Sequence, residues 1–138
     1  ISERPTLTGL TATKVAAEKA YRMAGITPDD VDVAVVHDCF TIAEIMAYED
    51  LGFCGKGGGG KFIEEEQSYI GGKVPINVDG GLKSKGHPIG ATGVSMTVEI
   101  TKQLRGEAGK RQVNGAEIGL SHNIGETGQY CFVHVYAR

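Results

Sequence analysis

The chain of 138 residues has little of what marks a membrane, nucleic-acid-binding or disulfide-rich protein. It has no tryptophan and only three cysteines, so a disulfide framework is not expected and a reducing compartment fits better. No apolar run approaches the roughly 20 residues that a membrane span needs. The net charge of −3 gives no basic surface for nucleic acid. We expect no membrane or nucleic-acid partner, and a cytoplasmic location, or a peroxisomal or mitochondrial one if the source is eukaryotic.

Glycine, in contrast, is abundant, with 21 residues, and it is clustered. Thirteen of the glycines lie between Gly52 and Gly93, where the backbone is expected to bend sharply or to lie close to another group. Hydrophobic residues make up 41% of the chain and charged residues 22%, which excludes a disordered chain. The length suits one domain with a substantial core.

The hydrophobic pattern alternates between helical and strand-like segments. The predicted helices, each followed by a glycine that ends it, are 8–24, 41–51 and 88–105. The glycine-rich segments 53–61 and 80–86 are predicted to be loops. The predicted strands, of which the second is a weak edge strand and the last two are antiparallel, are 31–36, 74–78, 116–121 and 129–136. We therefore predict an α/β fold with a mixed sheet covered by helices. Apolar residues surround more than half of the helix 88–105, which predicts that it is well buried.

Reactive side chains follow the first predicted strand, where residues 37–40 read His-Asp-Cys-Phe. Ligands of open α/β sheets gather beyond the carboxyl ends of the strands. The helix that begins at Thr41 would lower the pKa of the Cys39 thiol, and strand alternation would direct His37 and Cys39 to one side and Asp38 to the other. The same pattern fits equally a buried small cysteine and a structural histidine.

A second motif, residues 80–93, contains His87 directly before Pro88, where the third helix is predicted to begin. The positive end of a helix favours the neutral imidazole, which could accept a proton near pH 7. Gly90 and Gly93 cost a helix roughly 1 kcal/mol each relative to Ala, so another segment or a ligand is expected close to the helix start. A helix packed tightly on the sheet would explain the glycines but not the histidine.

A third motif, residues 121–128, is predicted to be a turn between two strands. The backbone N–H of Gly125 is suited to an oxyanion hole, although an ordinary β-connection explains the motif equally simply. The run Gly-Lys-Gly-Gly-Gly-Gly-Lys at 55–61 resembles nucleotide-binding loops, but a helix precedes it and Phe62 stands where a Ser or Thr would bind magnesium, so we reject that function. The histidines and cysteines match no compact metal-site spacing, and no metal is expected.

Taken together, the three motifs resemble the C-terminal half of a thiolase of the sterol-carrier type, and residues 104–113 are also similar to that subfamily. The resemblance runs from about Gly9 to Tyr136. It implies the thiolase-like fold, with two duplicated halves around one active site, in a dimer or tetramer. It also implies an acyltransferase that catalyses reversible thiolytic cleavage or Claisen condensation of 3-ketoacyl-CoA. Coenzyme A and acyl-CoA would be substrates, with no permanently bound cofactor.

The resemblance also implies roles for individual residues. His87 would be the base that activates a nucleophilic cysteine, and His37 would replace the asparagine of an oxyanion hole. Cys39 would be the acid/base, because Asn123 stands where most thiolases carry that cysteine. Gly125 would offer a backbone N–H to a second oxyanion.

No residue here matches the nucleophile, which thiolases carry in the N-terminal half. Residues 1–138 would therefore form the C-terminal domain alone, inactive without that half as a partner. Glu126 and Thr127 depart from the small, glycine-rich turn common at this point, which bears on substrate size and activity. The alternative is a catalytically inactive, thiolase-like acyl-CoA-binding or scaffold protein.

Overall fold

The computed structural model of the chain describes residues 5–138. In chain order its helices and strands are α1 (Thr11–Ala24), β1 (Val33–Val36), α2 (Thr41–Asp50), α3 (Gly59–Glu64), α4 (Gly81–Lys85), α5 (Thr92–Arg105), β2 (Ile118–Gly125) and β3 (Tyr130–Ala137). Two 3-10 turns lie at Pro28–Asp30 and Gly109–Arg111. Within this part of the chain, every helix is too short or too polar to cross a bilayer.

The three strands form one mixed sheet in the order β1-β2-β3, which confirms the predicted fold class. β1 runs parallel to β2, with Val36 opposite His122, and β2 runs antiparallel to β3, with Asn123 opposite Phe132. The predicted edge strand 74–78 is reduced to one parallel bridge, between Ile76 and Ala34. Proline at position 75 has no N–H to donate, so a longer ladder is not available there.

Helices cover the two faces of the sheet and form a three-layer domain. Ala34 and Val36 of β1 belong to the cluster packed with α1, α2 and α3. Val33 and Val35, which alternate with them, belong to the cluster packed with α5. All four residues of β1 are buried, as expected for a strand covered on both faces. The carboxyl end of β1 therefore lies between two helical layers.

The helix ends follow the glycine signals closely, whereas two of the predicted helix starts, those of α1 and α5, are wrong. Gly25 and Gly106 adopt left-handed conformations with φ of 70° and 73° and end α1 and α5, as predicted. α1 begins at Thr11 instead of residue 8. The backbone N–H of Leu10 bonds the Asp50 carboxylate, which holds the preceding residues outside the helix.

Four sequence-based assignments around the glycine-rich motifs are wrong. α5 begins at Thr92, not Pro88, because the carbonyl of Pro88 accepts the N–H groups of Ala91 and Thr92 and forms a turn before the helix. The predicted loops at 53–61 and 80–86 contain the short helices α3 and α4. β2 continues to Gly125, because its pairing with β3 extends to the Gly125–Tyr130 pair. The third motif is thus mostly strand and only partly turn.

The prediction that the third helix is well buried is also wrong for one of its faces. Met96, Ile100 and Leu104 are buried against the sheet. On the outward face, Val94 and Val98 are 65% and 45% exposed. The apolar pattern that surrounds α5 therefore exceeds what this domain covers.

Candidate active site

His37 is the first residue after β1, and its side chain is buried at the carboxyl end of that strand. Because β1 and β2 run parallel with Val36 opposite His122, the next residues on each strand, His37 and Asn123, lie side by side. The Nδ1 of His37 is 2.8 Å from the Asn123 Oδ1. Burial lowers the pKa of His37, the Asn123 bond acts in the opposite direction, and nearby His87 lowers it further. The ring is therefore neutral near pH 7.

His87 lies on the exposed segment between α4 and α5 and contacts His37 directly. The two ring centroids are 4.9 Å apart and the ring planes are 82° apart, an edge-to-face arrangement. The Nδ1 of His87 is 2.7 Å from the hydroxyl of Thr92, the first residue of α5. Side chains from three distant segments of the chain thus meet beyond the carboxyl ends of β1 and β2. They are His37, His87 and Asn123.

Asp38 joins the loop 37–40 to the segment that leads to His87. Its carboxylate accepts the Leu82 N–H at 3.0 and 3.1 Å. A Cβ at position 81 would collide with this carboxylate, and Gly81 has a φ of 64°, so the position suits glycine alone. Because β1 ends at Val36, strand alternation does not set the directions of residues 37–39. Gly81 of the second motif therefore allows this close contact with Asp38.

Cys39 is half-buried on the same loop. Burial raises the pKa of its thiol, although the backbone N–H groups of Cys39 and Phe40 act in the opposite direction. The expectation that the α2 N-terminus lowers this pKa is wrong, because burial is the larger effect. In the described part of the chain, the thiol has no hydrogen bond to His37, His87 or Asn123. Near pH 7 the group is a protonated thiol.

The residues of β2 alternate between the site and the core. Asn123 faces α5, where a Cβ at Gly93 would lie 2.9 Å from the Asn123 Nδ2. This close approach explains the glycine in the first turn of α5 and confirms that another segment lies near the helix start. Gly125 lies two residues further along β2, opposite Tyr130, at the last pair of the ladder.

His122 points to the opposite face and is fully buried. Its Nε2 is 2.9 Å from the Thr13 hydroxyl, and its Nδ1 has no hydrogen-bond partner. Burial lowers the pKa of His122 to about 3, so this ring stays neutral. No group of three or more His, Cys, Asp or Glu side chains among residues 5–138 is placed to hold a metal ion.

An open groove of about 310 Å³ adjoins Asn123 on the α5 side of the sheet. Its lining combines three exposed apolar side chains, Ile89 (87%), Val94 (65%) and Phe132 (60%), with the polar side chains of Thr97, Ser121, Asn123 and His134. Asn123, which holds His37, therefore also lines a groove that the described chain leaves open.

Sequence reasoning assigned no role to Thr92 and none to the Asp38–Gly81 contact. Both belong to the first two motifs, and Thr92 lies five residues after His87. Five residues exceed the spacing of three or four that brings side chains together on a helix, and His87 lies outside α5, so the spacing alone does not announce this bond. The contact of Asp38 with Gly81 joins residues 43 positions apart, and no local pattern announces it.

The comparisons with known proteins agree on one family. The family described as "Thiolase C-terminal domain-like" matches residues 1–138. An acetyl-CoA acetyltransferase from Methanothermobacter thermautotrophicus is 52% identical over 138 residues, which cover 100% of this chain and 36% of that protein. Sterol carrier protein 2 from Homo sapiens is 50% identical over 119 residues, which cover 86% of this chain and 22% of that protein.

A solved structure has the same fold. The protein named "Ltp2-ChsH2(DUF35) aldolase" aligns with a TM-score of 0.83 and 26% identity over 98% of this chain and 34% of that chain. The chain spans about a third of the length of the archaeal relative and of this structure, and less of sterol carrier protein 2. With the family matched from the first residue to the last, the chain belongs to the thiolase C-terminal domain family.

Proposed function

We propose that the chain provides the acid/base and oxyanion-binding part of a thiolase active site that acts on 3-ketoacyl-CoA and CoA. The observation that carries this proposal is the contact of His37 with His87, held in place by Asn123 and Thr92. The names of the relatives, acetyl-CoA acetyltransferase and sterol carrier protein 2, support acyl-CoA as the substrate class. The nucleophilic cysteine belongs to a second half that precedes or joins this one.

In the first step of thiolysis, His87 takes the proton of that cysteine. The thiolate attacks the 3-keto carbon, and the bond between carbons 2 and 3 breaks. Its electron pair forms the enolate of acetyl-CoA, and the protonated thiol of Cys39 gives its proton to carbon 2. The raised pKa of Cys39 suits this role, because the group must hold a proton at neutral pH before it donates one.

In the second step, CoA gives its thiol proton to the Cys39 thiolate and attacks the acyl group on the nucleophile. The acyl group passes to CoA, and the released thiolate recovers its proton from His87. Each oxyanion needs a directed donor. We assign His37 to one oxyanion. In the structure the Asn123 Oδ1 faces the Nδ1 of His37, so donation from the Nε2 of a neutral ring requires the amide to turn by 180° and present its NH₂ instead. The Gly125 N–H is assigned to the other oxyanion.

The uncovered face of α5 is where we place the nucleophile-bearing half. This face continues the groove beside Asn123, so a partner seated there would bring its residues to the two imidazoles. Val94, Val98, Ile89 and Phe132 would lose their exposure in that contact. Burial of a continuous apolar surface next to the site favours the association and excludes water from the reaction.

A chimera tests the proposal directly. In the archaeal acetyl-CoA acetyltransferase, the matching 36% is replaced by residues 1–138 of this chain, and acetoacetyl-CoA cleavage is measured with CoA. We expect cleavage by the chimera and none by residues 1–138 alone. Lys19→Ala, an exposed change on α1, serves as the control and should leave the rate unchanged. Cys39→Ser should lower the rate of cleavage by about 100-fold or more, the usual contribution of a general acid or base.

Two outcomes would contradict the proposal. A folded chimera that binds CoA in calorimetry but cleaves no 3-ketoacyl-CoA would favour the acyl-CoA-binding or scaffold alternative. Cleavage of a 3-hydroxyacyl-CoA in place of the 3-keto substrate would favour aldol chemistry, as the name of the structural neighbour, an aldolase, suggests for that protein. Unchanged cleavage by Cys39→Ser would remove the role assigned to Cys39.

A further inference from the structure

We propose that Thr92 is a positioning residue that fixes the tautomer of His87. The inference deepens the proposed function, because it assumes that the Nε2 of His87 is the basic atom. Its observations are independent of that function. They are the 2.7 Å contact between the His87 Nδ1 and the Thr92 hydroxyl, and the 3.2 Å bond from that hydroxyl to the Pro88 carbonyl.

The assignment follows from the number of protons available. A threonine hydroxyl has one proton to donate and lone pairs that accept. The Pro88 carbonyl can only accept, so the Thr92 proton is used in that bond. The contact with His87 then needs the Nδ1 to be the donor. In the neutral ring the proton is on Nδ1, and Nε2 keeps its lone pair.

The hydroxyl of Thr92 is held firmly. Thr92 is 1% exposed and is the first residue of α5. Its backbone N–H bonds the same Pro88 carbonyl at 3.0 Å, so one carbonyl accepts both donors of the residue. This side-chain bond to the carbonyl four residues earlier is a common threonine geometry in helices. The buried site leaves the hydroxyl little freedom to turn toward another acceptor.

The tautomer matters because only one of the two can start the reaction. A ring with its proton on Nδ1 presents a basic Nε2 to the nucleophile. A ring with its proton on Nε2 can donate a hydrogen bond there but cannot accept a proton. Groups that orient a catalytic or ligating imidazole through its second nitrogen affect the function by about 10- to 100-fold.

The first test measures the tautomer itself in residues 1–138. Imidazole nitrogen shifts distinguish a protonated nitrogen from one with a lone pair, and they are recorded at about pH 8.5, where histidines are neutral. We expect the Nδ1–H form for the parent chain and for Thr92→Ser, and a shift toward Nε2–H for Thr92→Val. The matched control is Thr101→Val, which removes an equivalent hydroxyl bonded to Thr97 on the same helix. It should leave the His87 signals unchanged.

The second test measures the rate in the chimera described above. Thr92→Val should lower kcat by about 10- to 100-fold, with KM changed by less than about twofold. Thr92→Ser restores the hydroxyl and should return kcat to within about threefold of the parent value. A loss of folding would instead lower the melting temperature and the folded fraction, which are measured on the same samples.

Several results would overturn the inference. They are an Nε2–H ring in the parent chain, an unchanged ring in a folded Thr92→Val chain, or equal losses of kcat in the Ser and Val variants. Failure of the proposed function is distinguishable from these. A chimera without thiolase activity would contradict the proposed function, while the nitrogen shifts of the isolated chain would still decide the role of Thr92.

Discussion

The sheet has a closed face and an open face near the carboxyl end of β2, and two adjacent residues of that strand show the difference. His122 points to the α1 side, where it is fully buried against Thr13. Asn123 points to the α5 side, where it holds His37 beside the exposed His87. On each side, a threonine hydroxyl contacts a histidine ring. The hydrogen-bond partner is the same kind of group on both sides, but the two histidine rings differ in their access to water.

This difference in access to water separates the buried His122 from the histidines that we propose to be reactive. On the closed side, the pKa of His122 is lowered to about 3, and nothing reaches the ring from outside. On the open side, the ring of His87 is exposed, and Asn123 lines an open groove of about 310 Å³. Side-chain identity alone does not assign chemistry, because burial decides whether an imidazole can exchange a proton. Variants on each side should therefore affect different properties.

The largest effect is expected on the open side, from His87→Ala. In the chimera, kcat should fall by about 10³-fold, the middle of the range for loss of a general base. Because the ring is exposed, the melting temperature of the chain should change by less than about 2 °C. The rate is measured by acetoacetyl-CoA cleavage and the stability by circular dichroism. A variant that keeps more than a tenth of the activity would remove His87 from the chemistry.

On the closed side, His122→Ala should affect stability and leave catalysis nearly intact. Removal of a fully buried ring leaves a cavity and takes one hydrogen-bond partner from the Thr13 hydroxyl, at a cost of about 3 kcal/mol in the free energy of unfolding. Urea denaturation measures this cost. His134→Ala, at an exposed position on β3, is the control and should cost less than about 0.5 kcal/mol. Equal costs for the two variants would contradict the division into a closed and an open side.

A smaller effect on stability is expected where the loop 37–40 contacts the start of α4, through Asp38 and Gly81. Gly81 and Gly25 have similar φ values, 64° and 70°, but a Cβ has open space at Gly25 and collides with Asp38 at Gly81. Gly25→Ala should cost about 1 kcal/mol for the left-handed conformation alone. Gly81→Ala should cost about 2 kcal/mol more and should also lower kcat, because the loop of His37 must shift. Equal costs in urea denaturation would show that Asp38 does not constrain this position.

The smallest effect, taken per pH unit, is the loss of stability in acid that arises on the closed side. His122 has a pKa of about 3 in the folded chain against 6.5 as its ordinary value, so the unfolded state binds the extra proton first. Its contribution to stability is complete above about pH 6.5 and is lost as the pH falls toward about 3, by up to about 1.4 kcal/mol per pH unit. His37, whose pKa is also lowered, contributes with the same sign.

His122→Leu isolates this contribution from those of the carboxylates and of His37. Urea midpoints measured between about pH 7.5 and pH 5 should fall less steeply for the variant than for the parent chain. A parallel decline of the two proteins would show that folding does not lower the pKa of His122.

Local sequence signals predict the parts of the fold that depend on local physics. Gly25 and Gly106 end their helices because the left-handed C′ conformation favours glycine, and a neighbour-independent rule is enough to find them. The buried strand Val33–Val36 follows from a run of β-branched and small apolar residues. The mixed sheet follows from the order of the elements.

The remaining features depend on partners that are distant in the chain. The predicted start of α5 is misplaced because Pro88 can begin a helix, and only the bonds to its carbonyl show that it forms a turn instead. The continuation of β2 to Gly125 requires β3 opposite it. The pKa of Cys39 is raised because the thiol is buried. The sequence indicates the nearby helix N-terminus but not this burial. Similarly, the spacing of Thr92 from His87 in the sequence does not reveal the bond between them.

The alternation along β2 has a consequence for how this domain tolerates change. A one-residue slip of the strand against β1 would exchange its two faces, because side chains repeat with a period of two. The imidazole of His122 would then stand beside His37, and the amide of Asn123 would be forced among apolar side chains without a partner. An insertion or deletion within residues 118–125 would therefore disrupt the proposed site and the core together.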